Sequence, residues 1–187
     1  MAENHLFKRH PLALAVSPLG IFPKLLLASL SVIGTQAMAD PFFSEYVEGS
    51  SNSKALEIYN PDPGSLNLAG CQVKMYFNGA ITPGLTHTFA SATIPAGGVY
   101  VLANPSSSAA LLSIANGTTS SSAWFNGDDA IELTCGGVTK DIIGQIGLDP
   151  GAEWGTGLAS TQDNTIARKS SVCAGDTNGA NAFDPAT

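Results

Sequence analysis

The sequence has 187 residues, of which 44% are hydrophobic and 12% are charged, and its formal net charge is −7. The hydrophobic content is too high for a disordered chain, and the 20 glycines and 11 prolines follow no collagen-like repeat. The acidic surplus argues against a nucleic-acid binder that works by charge, because such proteins need an excess of Lys and Arg. These values favour one compact, turn-rich domain.

The N-terminal segment has the composition of a secretory signal. Basic residues come before an apolar run over residues 25–33, and Ala37 and Ala39 are the small residues of a cleavage site. The run is too short to span a membrane, which needs about 20 apolar residues. We therefore expect residues 1–39 to be a signal peptide and residues 40–187 to be a mature domain that is secreted, either extracellular or periplasmic. An uncleaved interfacial anchor is the alternative.

Removal of this segment makes the protein more acidic. It takes away three basic residues and one acidic residue. The mature chain then has 5 basic and 14 acidic residues and a net charge of −9. Such a charge repels phosphate backbones and anionic lipid headgroups, so direct DNA binding is disfavoured. No transmembrane span is expected in the mature chain.

Alternation of hydrophobic and polar residues predicts β-strands along most of the mature chain. The strand-like runs are residues 55–60, 71–77, 99–103, 130–135, 138–145 and 164–167. The run at 99–103 is apolar on both faces, so we expect it in the middle of a sheet. Gly136 and Gly137 separate two runs and predict a tight hairpin that brings Cys135 beside Val138.

One segment follows a different pattern and predicts a short helix. Residues 106–115 begin with a serine cluster suited to N-capping and end before Asn116 and Gly117, which act as a stop signal. The closely spaced strand signals and the single helix predict an all-β fold. We expect an Ig-like two-sheet β-sandwich with one short crossing helix.

The cysteines and the single histidine of the mature chain give little indication of catalysis. Cys71, Cys135 and Cys173 are an odd set, so at most two of them pair within one chain, and the absence of C-x-x-C argues against a zinc ribbon. His87 has no accompanying G-x-S-x-G motif and is expected to be a partly exposed strand residue. No catalytic residue is predicted.

Loop carboxylates are the only candidate metal ligands. Oxygen ligands on loops suit Ca²⁺, although the spacing matches no EF-hand. The candidates are Asp128, Asp129, Asp149, Glu153 and Asp176. The alternative is that these side chains shape turns by accepting backbone hydrogen bonds. No other cofactor is expected.

Three further features near the C-terminal half have structural explanations. Trp124 and Trp154 are expected in the core rather than on a ligand-stacking platform. Arg168, one cation among many carboxylates, is expected to form a structural ion pair. Residues 173–187 read as a loop that docks through Phe183, or as the start of a further segment.

Several stretches together resemble a bacterial lamin-tail domain. They are residues 43–49, 55–61, 125–133, 141–145, 149–151 and 165–169. The stretches are also similar to the N-terminal modules of large secreted bacterial nucleases, and the resemblance implies a lamin-tail β-sandwich over residues 40–187. The matching motif residues form a folding signature rather than an active site: Phe125, Asn126, Gly127, Asp128, Asp129, Asp141 and Gly144.

The resemblance also implies what the protein does and how its cysteines pair. In such nucleases a separate domain is responsible for catalysis, and lamin-tail modules are interaction or positioning units, so the expected partner is a protein or a downstream catalytic domain. In this kind of sandwich, Cys135–Cys173 is the expected disulfide and Cys71–Cys173 is the rival. The main hypothesis is a secreted non-catalytic module. The alternatives are part of a secreted endonuclease that acts on extracellular DNA, and a Ca²⁺-dependent surface adhesion module.

Overall fold

The computed structural model describes residues 39–187, and within them the chain forms thirteen strands and one short helix. The predicted signal segment therefore lies outside the described residues, except for Ala39. The first strands are β1 (Phe42–Glu48), β2 (Lys54–Tyr59), β3 (Leu66–Asn67), β4 (Gln72–Tyr76), β5 (Leu85–Thr88), β6 (Thr93–Ile94) and β7 (Val99–Ala103). Helix α1 (Ala109–Ile114) follows, and then β8 (Gly117–Thr118), β9 (Ala130–Cys135), β10 (Val138–Ile143), β11 (Gly155–Thr156), β12 (Ala159–Ser160) and β13 (Thr165–Ala167).

Two main sheets form the domain. The first has five strands in the order β13-β1-β2-β7-β8, all antiparallel except for the parallel pair β7–β8. The second has four antiparallel strands in the order β10-β9-β4-β5. Two short ribbons, β11-β12 and β3-β6, complete the described strands. The one helix described in residues 39–187 is not long and apolar enough to cross a membrane.

The core lies between the inner faces of these sheets, which confirms the predicted Ig-like β-sandwich. Alternate residues of the longer strands point into it, as the period-2 pattern predicted. The largest fully buried side chains are Tyr46, Phe43, Phe125, Leu56, Ile58, Leu68, Met75, Ile94, Leu102, Ile131, Leu133 and Val73. Tyr46 stacks on Phe125 with ring centroids 4.6 Å apart, so the first sheet contacts the loop that precedes β9.

The hairpin of β9 and β10 confirms a local prediction. Cys135 is the register partner of Val138, and both Gly136 and Gly137 have positive φ angles, 60° and 77°. Glycine adopts this conformation without steric cost, which explains why the sequence places two of them between the strands.

The disulfide prediction is wrong: Cys71 pairs with Cys135, and Cys173 is free and exposed. In the antiparallel pair β4–β9, Gln72 lies opposite Thr134. The residues one step further along therefore also lie opposite each other, and the Cα atoms of the two bonded cysteines are 4.1 Å apart. Strand adjacency decided the pairing, and it brought together residues separated by 64 positions.

Two smaller predictions have mixed outcomes. Helix α1 forms with Ser108 as its N-cap, but it buries none of its residues and leaves Ile114 65% exposed. Strand β7 lies second from the sheet edge rather than in the middle. Its outer neighbour β8 covers only Leu102 and Ala103, so Val99 is 40% exposed.

Candidate functional site

The loop before β9, residues 125–129, forms what we call the signature corner. Lys54 reaches it from β2, and its Nζ donates to the Phe125 carbonyl at 2.6 Å and to Glu48 Oε1 at 2.7 Å. Glu48 Oε2 accepts from the backbone N–H of Asp163 at 3.3 Å. Lys54 and Glu48 are both buried, so this is an internal ion pair that fixes the corner against the first sheet.

Asp129 organises the turn inside the corner. Its Oδ1 accepts from the backbone N–H of Asn78 at 2.7 Å, and its Oδ2 accepts from the N–H of Asn126 at 3.1 Å. With its amide nitrogen facing the acids, Asn126 also donates to Asp128 at 2.6 Å and to Asp129 at 2.8 Å. Burial raises the pKa of Asp129 to about 6, and the neighbouring Asp128 charge adds to this, although the two backbone donors oppose it.

Gly127 is required at the tip of this turn. Its φ angle is +93°, and a Cβ there would approach Gln162 within 2.9 Å and Glu48 within 3.1 Å. Its carbonyl accepts from the Thr161 hydroxyl. The Asn-Gly-Asp-Asp run is therefore held by contacts within the domain.

The five calcium candidates do not assemble. Asp149 lies close enough to raise the pKa of Asp128, after the larger effect of burial, but its Oδ1 accepts from the Gly151 N–H at 2.7 Å. Asp176 belongs to a different region, where its Oδ1 accepts from the N–H of Asn178. Across residues 39–187, no three His, Cys, Asp or Glu side chains come together in a way that could hold a metal ion.

Another buried carboxylate, Asp141 on β10, is the centre of what we call the edge knot. Its Oδ2 accepts from the Phe43 N–H at 2.7 Å, and its Oδ1 accepts from the Ile142 N–H at 2.9 Å and the Asp176 N–H at 2.8 Å. Arg168 forms an ion pair with it, which confirms the predicted structural role of that cation. Burial raises the pKa of Asp141 to about 6, although the Arg168 charge and the three N–H donors act to lower it.

Arg168 joins three elements at this knot. Its Nε donates to the Phe43 carbonyl at 2.8 Å, and its guanidinium lies 5.7 Å from the centre of the Phe42 ring. The knot thereby connects β1, β10 and the part of the chain that follows β13. Residues 172–187 of that part are called the C-terminal segment below.

The C-terminal segment contains no strand or helix and is held by a few specific contacts. The Gly179 carbonyl accepts from the Ile146 N–H at 2.9 Å, and the Ala180 carbonyl accepts from Gln145 Nε2 at 3.0 Å. Phe183 packs edge-on against the buried Trp154 ring, with centroids 6.0 Å apart. This confirms that the segment docks through Phe183.

A cavity of about 270 Å³, called the edge groove below, lies between β1, β13, the end of β10 and the C-terminal segment. Its hydrophobic lining residues include Phe43, Tyr46, Ile142, Ile143, Ile166 and Phe183. Charged residues also line it: Glu45, Arg168, Lys169, Asp176 and Asp184. Arg168 forms an ion pair with Asp141, and Lys169 Nζ donates to the carbonyls of Ala186 and Thr187.

The remaining aromatic and histidine predictions agree with the structure. Trp124 and Trp154 are 8% and 5% exposed, so both belong to the core rather than to a platform. Trp124 Nε1 donates to the Thr119 hydroxyl at 2.7 Å, whereas Trp154 Nε1 has no hydrogen-bond partner in the described part of the chain. His87 is half-buried on β5 beside the Phe89 ring, and burial lowers its pKa.

Comparison with known families decides the classification. The family model of the Lamin Tail Domain matches residues 35–147. The chain belongs to the lamin tail domain family. No curated protein matches the sequence.

The lamin tail domain is a non-catalytic Ig-like family, and its match covers both sheets except β13. The signature corner and Asp141 lie inside the matched range. Strand β13 and the C-terminal segment lie beyond residue 147, so the edge groove combines family residues with walls from outside the match. Sequence reasoning missed this groove, and its only local signals were Arg168 and Phe183.

Proposed function

We propose that this lamin tail domain is a secreted, non-catalytic module that binds or positions a partner protein. The observation that supports this proposal is the edge groove, a cavity where hydrophobic residues, charged residues and the edge of a sheet lie together. The polar side chains of the signature corner are instead used in internal contacts, which fits a role in folding.

The secretion part of the proposal rests on residues 1–39, whose basic start, apolar run and small residues match a cleavable signal. Fusing residues 1–39 to a reporter enzyme that lacks its own signal should direct the reporter out of the cytoplasm. N-terminal sequencing of the exported full chain should then begin at Asp40. Retention of the reporter inside the cell would contradict secretion by this segment.

The interaction part can be tested by site-specific photo-crosslinking in the organism that produces the protein. A crosslinking amino acid is placed singly at three exposed positions around the domain and at one half-buried residue that lines the edge groove. The exposed positions are Thr86, Ile114 and Leu158, and the groove position is Val172. We expect a discrete protein adduct from at least one position, identified by mass spectrometry. If none of the positions yields an adduct above the sample kept in the dark, the interaction function is wrong.

The association with nucleases is the more specific form of the proposal, and it rests on the sequence resemblance. In this form the domain positions a catalytic domain that acts on extracellular DNA. Purified protein should then leave plasmid DNA intact in Mg²⁺, Mn²⁺ or Ca²⁺, at the level of a heat-treated sample. Cleavage that exceeds the heat-treated sample would instead favour an enzyme.

A further inference from the structure

The outer side of β13 is a free sheet edge. Within the described residues β13 pairs only with β1, and the bonds at Asn164 and Arg168 show which residues face that partner. Because antiparallel pairing uses alternate residues, Thr165 and Ala167 direct their N–H and C=O groups away from β1. Both residues are exposed, so this edge offers two donors and two acceptors to another strand.

The edge groove lies beside this free edge. Ile166 and Ala167 of β13 both line the cavity. A dry cavity of roughly 150 Å³ accommodates a benzene molecule, so the observed volume of about 270 Å³ has room for one large hydrophobic side chain. A strand added to β13 would direct alternate side chains toward the inner face of the sandwich, where this cavity opens.

The opposite face of the same edge carries negative charge without a matching cation. Glu45 and Glu57 lie directly opposite each other on β1 and β2, and like charges in this position repel. No Lys, Arg or His of residues 39–187 forms an ion pair with either of them. Burial raises the pKa of Glu45, and the Glu57 charge adds to this.

Residues 39–187 contain no spare cation for these two acids. Each of Lys54, Lys74, Lys140 and Arg168 already has a carboxylate partner, and Lys169 is bonded to main-chain carbonyls. Ala167 is the register partner of Glu45 on β13. Its short side chain leaves a path across the sheet face from the free edge to Glu45, which a long Lys or Arg side chain can cover.

We propose that the edge groove binds an extended segment of a partner protein whose hydrophobic and basic residues alternate. The segment adds as a strand to β13, places a hydrophobic side chain in the cavity and brings a Lys or Arg to Glu45. This inference rests on the proposed interaction function and specifies its site and partner chemistry. Strand addition is an established mode of peptide recognition, in which main-chain bonds provide affinity and side chains provide specificity.

Fluorescence anisotropy with three labelled nonapeptides tests the recognition. The first alternates Lys and Val, the second alternates Glu and Val, and the third alternates Lys and Ser. We expect the Lys–Val peptide to bind and its affinity to fall with added salt, because the charges at the rim are accessible. Binding of the other two should be weaker by about tenfold or more, since one lacks the cations and the other lacks the hydrophobic anchor.

Two proline variants test the geometry. Ala167→Pro removes an outward N–H from β13, and proline is tolerated at an edge position of this kind. Thr86→Pro is the matched control, because Thr86 lies on β5, the edge strand of the other sheet. We expect the Kd for the Lys–Val peptide to rise about tenfold in Ala167→Pro and to stay unchanged in Thr86→Pro.

Glu45→Gln tests the charge without altering the strand edge. We expect it to weaken Lys–Val binding several-fold and to reduce the salt dependence. Circular dichroism of each variant checks that the sandwich is intact. The inference is overturned if the Lys–Val and Glu–Val peptides bind equally, or if Ala167→Pro binds as well as the parent. Crosslinked partners found only at positions away from Val172 would reject this site but leave the interaction function standing.

Discussion

The signature corner and the edge knot both contain buried carboxylates. At the corner they fix turns between strands, whereas at the knot the carboxylate fixes a segment that has no regular secondary structure. At the corner, Glu48 bonds to the Lys54 ammonium. Asp129 accepts from the backbone N–H groups of two turns between regular strands, at Asn78 and Asn126. At the edge, Asp141 bonds to a strand, an arginine and a segment without regular structure. The comparison indicates that a buried charge can anchor a segment that has no strand pairing of its own, provided that several donors converge on it.

The largest effect should come from breaking the corner. Lys54→Met leaves Glu48 buried without its cation and the Phe125 carbonyl without this donor. Loss of one partner from such a pair costs about 3–5 kcal/mol, which denaturant unfolding would measure. Lys140→Met is the matched control, since its ion pair has the same 2.7 Å length but involves the 56% exposed Asp40 side chain. We expect the control to change stability by less than about 1 kcal/mol, and equal losses would contradict the importance of burial.

The disulfide should stabilise the domain as a whole and leave the contacts of the edge knot unchanged. Replacing both Cys71 and Cys135 with Ala removes a link across 64 positions, and chain entropy alone predicts a loss on the order of 4 kcal/mol. Cys173→Ala should have no effect, because this thiol is free and exposed. A non-reducing peptide map that finds Cys173 in a bridge would contradict the structure.

A smaller and more local effect is expected at the edge knot. Asp141→Asn retains one acceptor but loses the charge that faces Arg168, which we expect to cost about 2 kcal/mol. Hydrogen exchange should accelerate at the N–H groups of Phe43 and Asp176, while the Asn78 N–H at the corner stays protected. Asp184→Asn, in an exposed turn, serves as the control. Uniform acceleration at both sites would show that the two regions are one cooperative unit.

The pH dependence should be shared by the two regions. Burial raises the pKa values of Asp129 and Asp141 to about 6, so their contribution to stability is greatest below about pH 4 and is lost as pH rises through about 6. Relative to Asp129→Asn, which does not titrate, the parent protein should therefore lose stability between pH 4 and pH 7. Thermal melts at the two pH values measure this difference, and a constant difference would contradict the raised pKa.

The pKa of Glu132 provides an opposite case for the same melts. Burial acts to raise it, but hydrogen bonds from Thr139, Tyr76 and Lys74, together with the Lys74 charge, leave it lowered. Its contribution to stability is therefore present at neutral pH and lost as pH falls through the lowered pKa. Glu132→Gln should accordingly be more damaging at pH 7 than in acid.

The smallest expected effect concerns calcium. Because Asp128 and Asp129 are bridged by Asn126 and Asp176 lies at the edge, we expect millimolar Ca²⁺ to leave the melting temperature unchanged. Calorimetric titration measures this directly. Binding heat that disappears in Asp128→Asn would instead place a cation at the corner.

Several features of this protein followed from its sequence because they depend on neighbouring residues. Period-2 alternation located the strand at 130–135 to the residue, and a continuous run of β-branched and aromatic residues located the strand at 99–103. Gly136 and Gly137 specified the hairpin, because their positive φ angles are a local requirement. The serine cluster likewise marked the start of the helix, and Ser108 is its N-cap.

The disulfide, the separation of the calcium candidates and the edge groove depend on which strands become neighbours. Cys71 meets Cys135 only because β4 pairs with β9, and the groove joins β1 to segments more than a hundred positions later. Alternation determines which face of a strand is buried, but it contains no information about the strand beside it. Sequence by itself therefore determined the fold class and the local turns of this lamin tail domain. Long-range packing decided how its cysteines, buried charges and exposed edge came together.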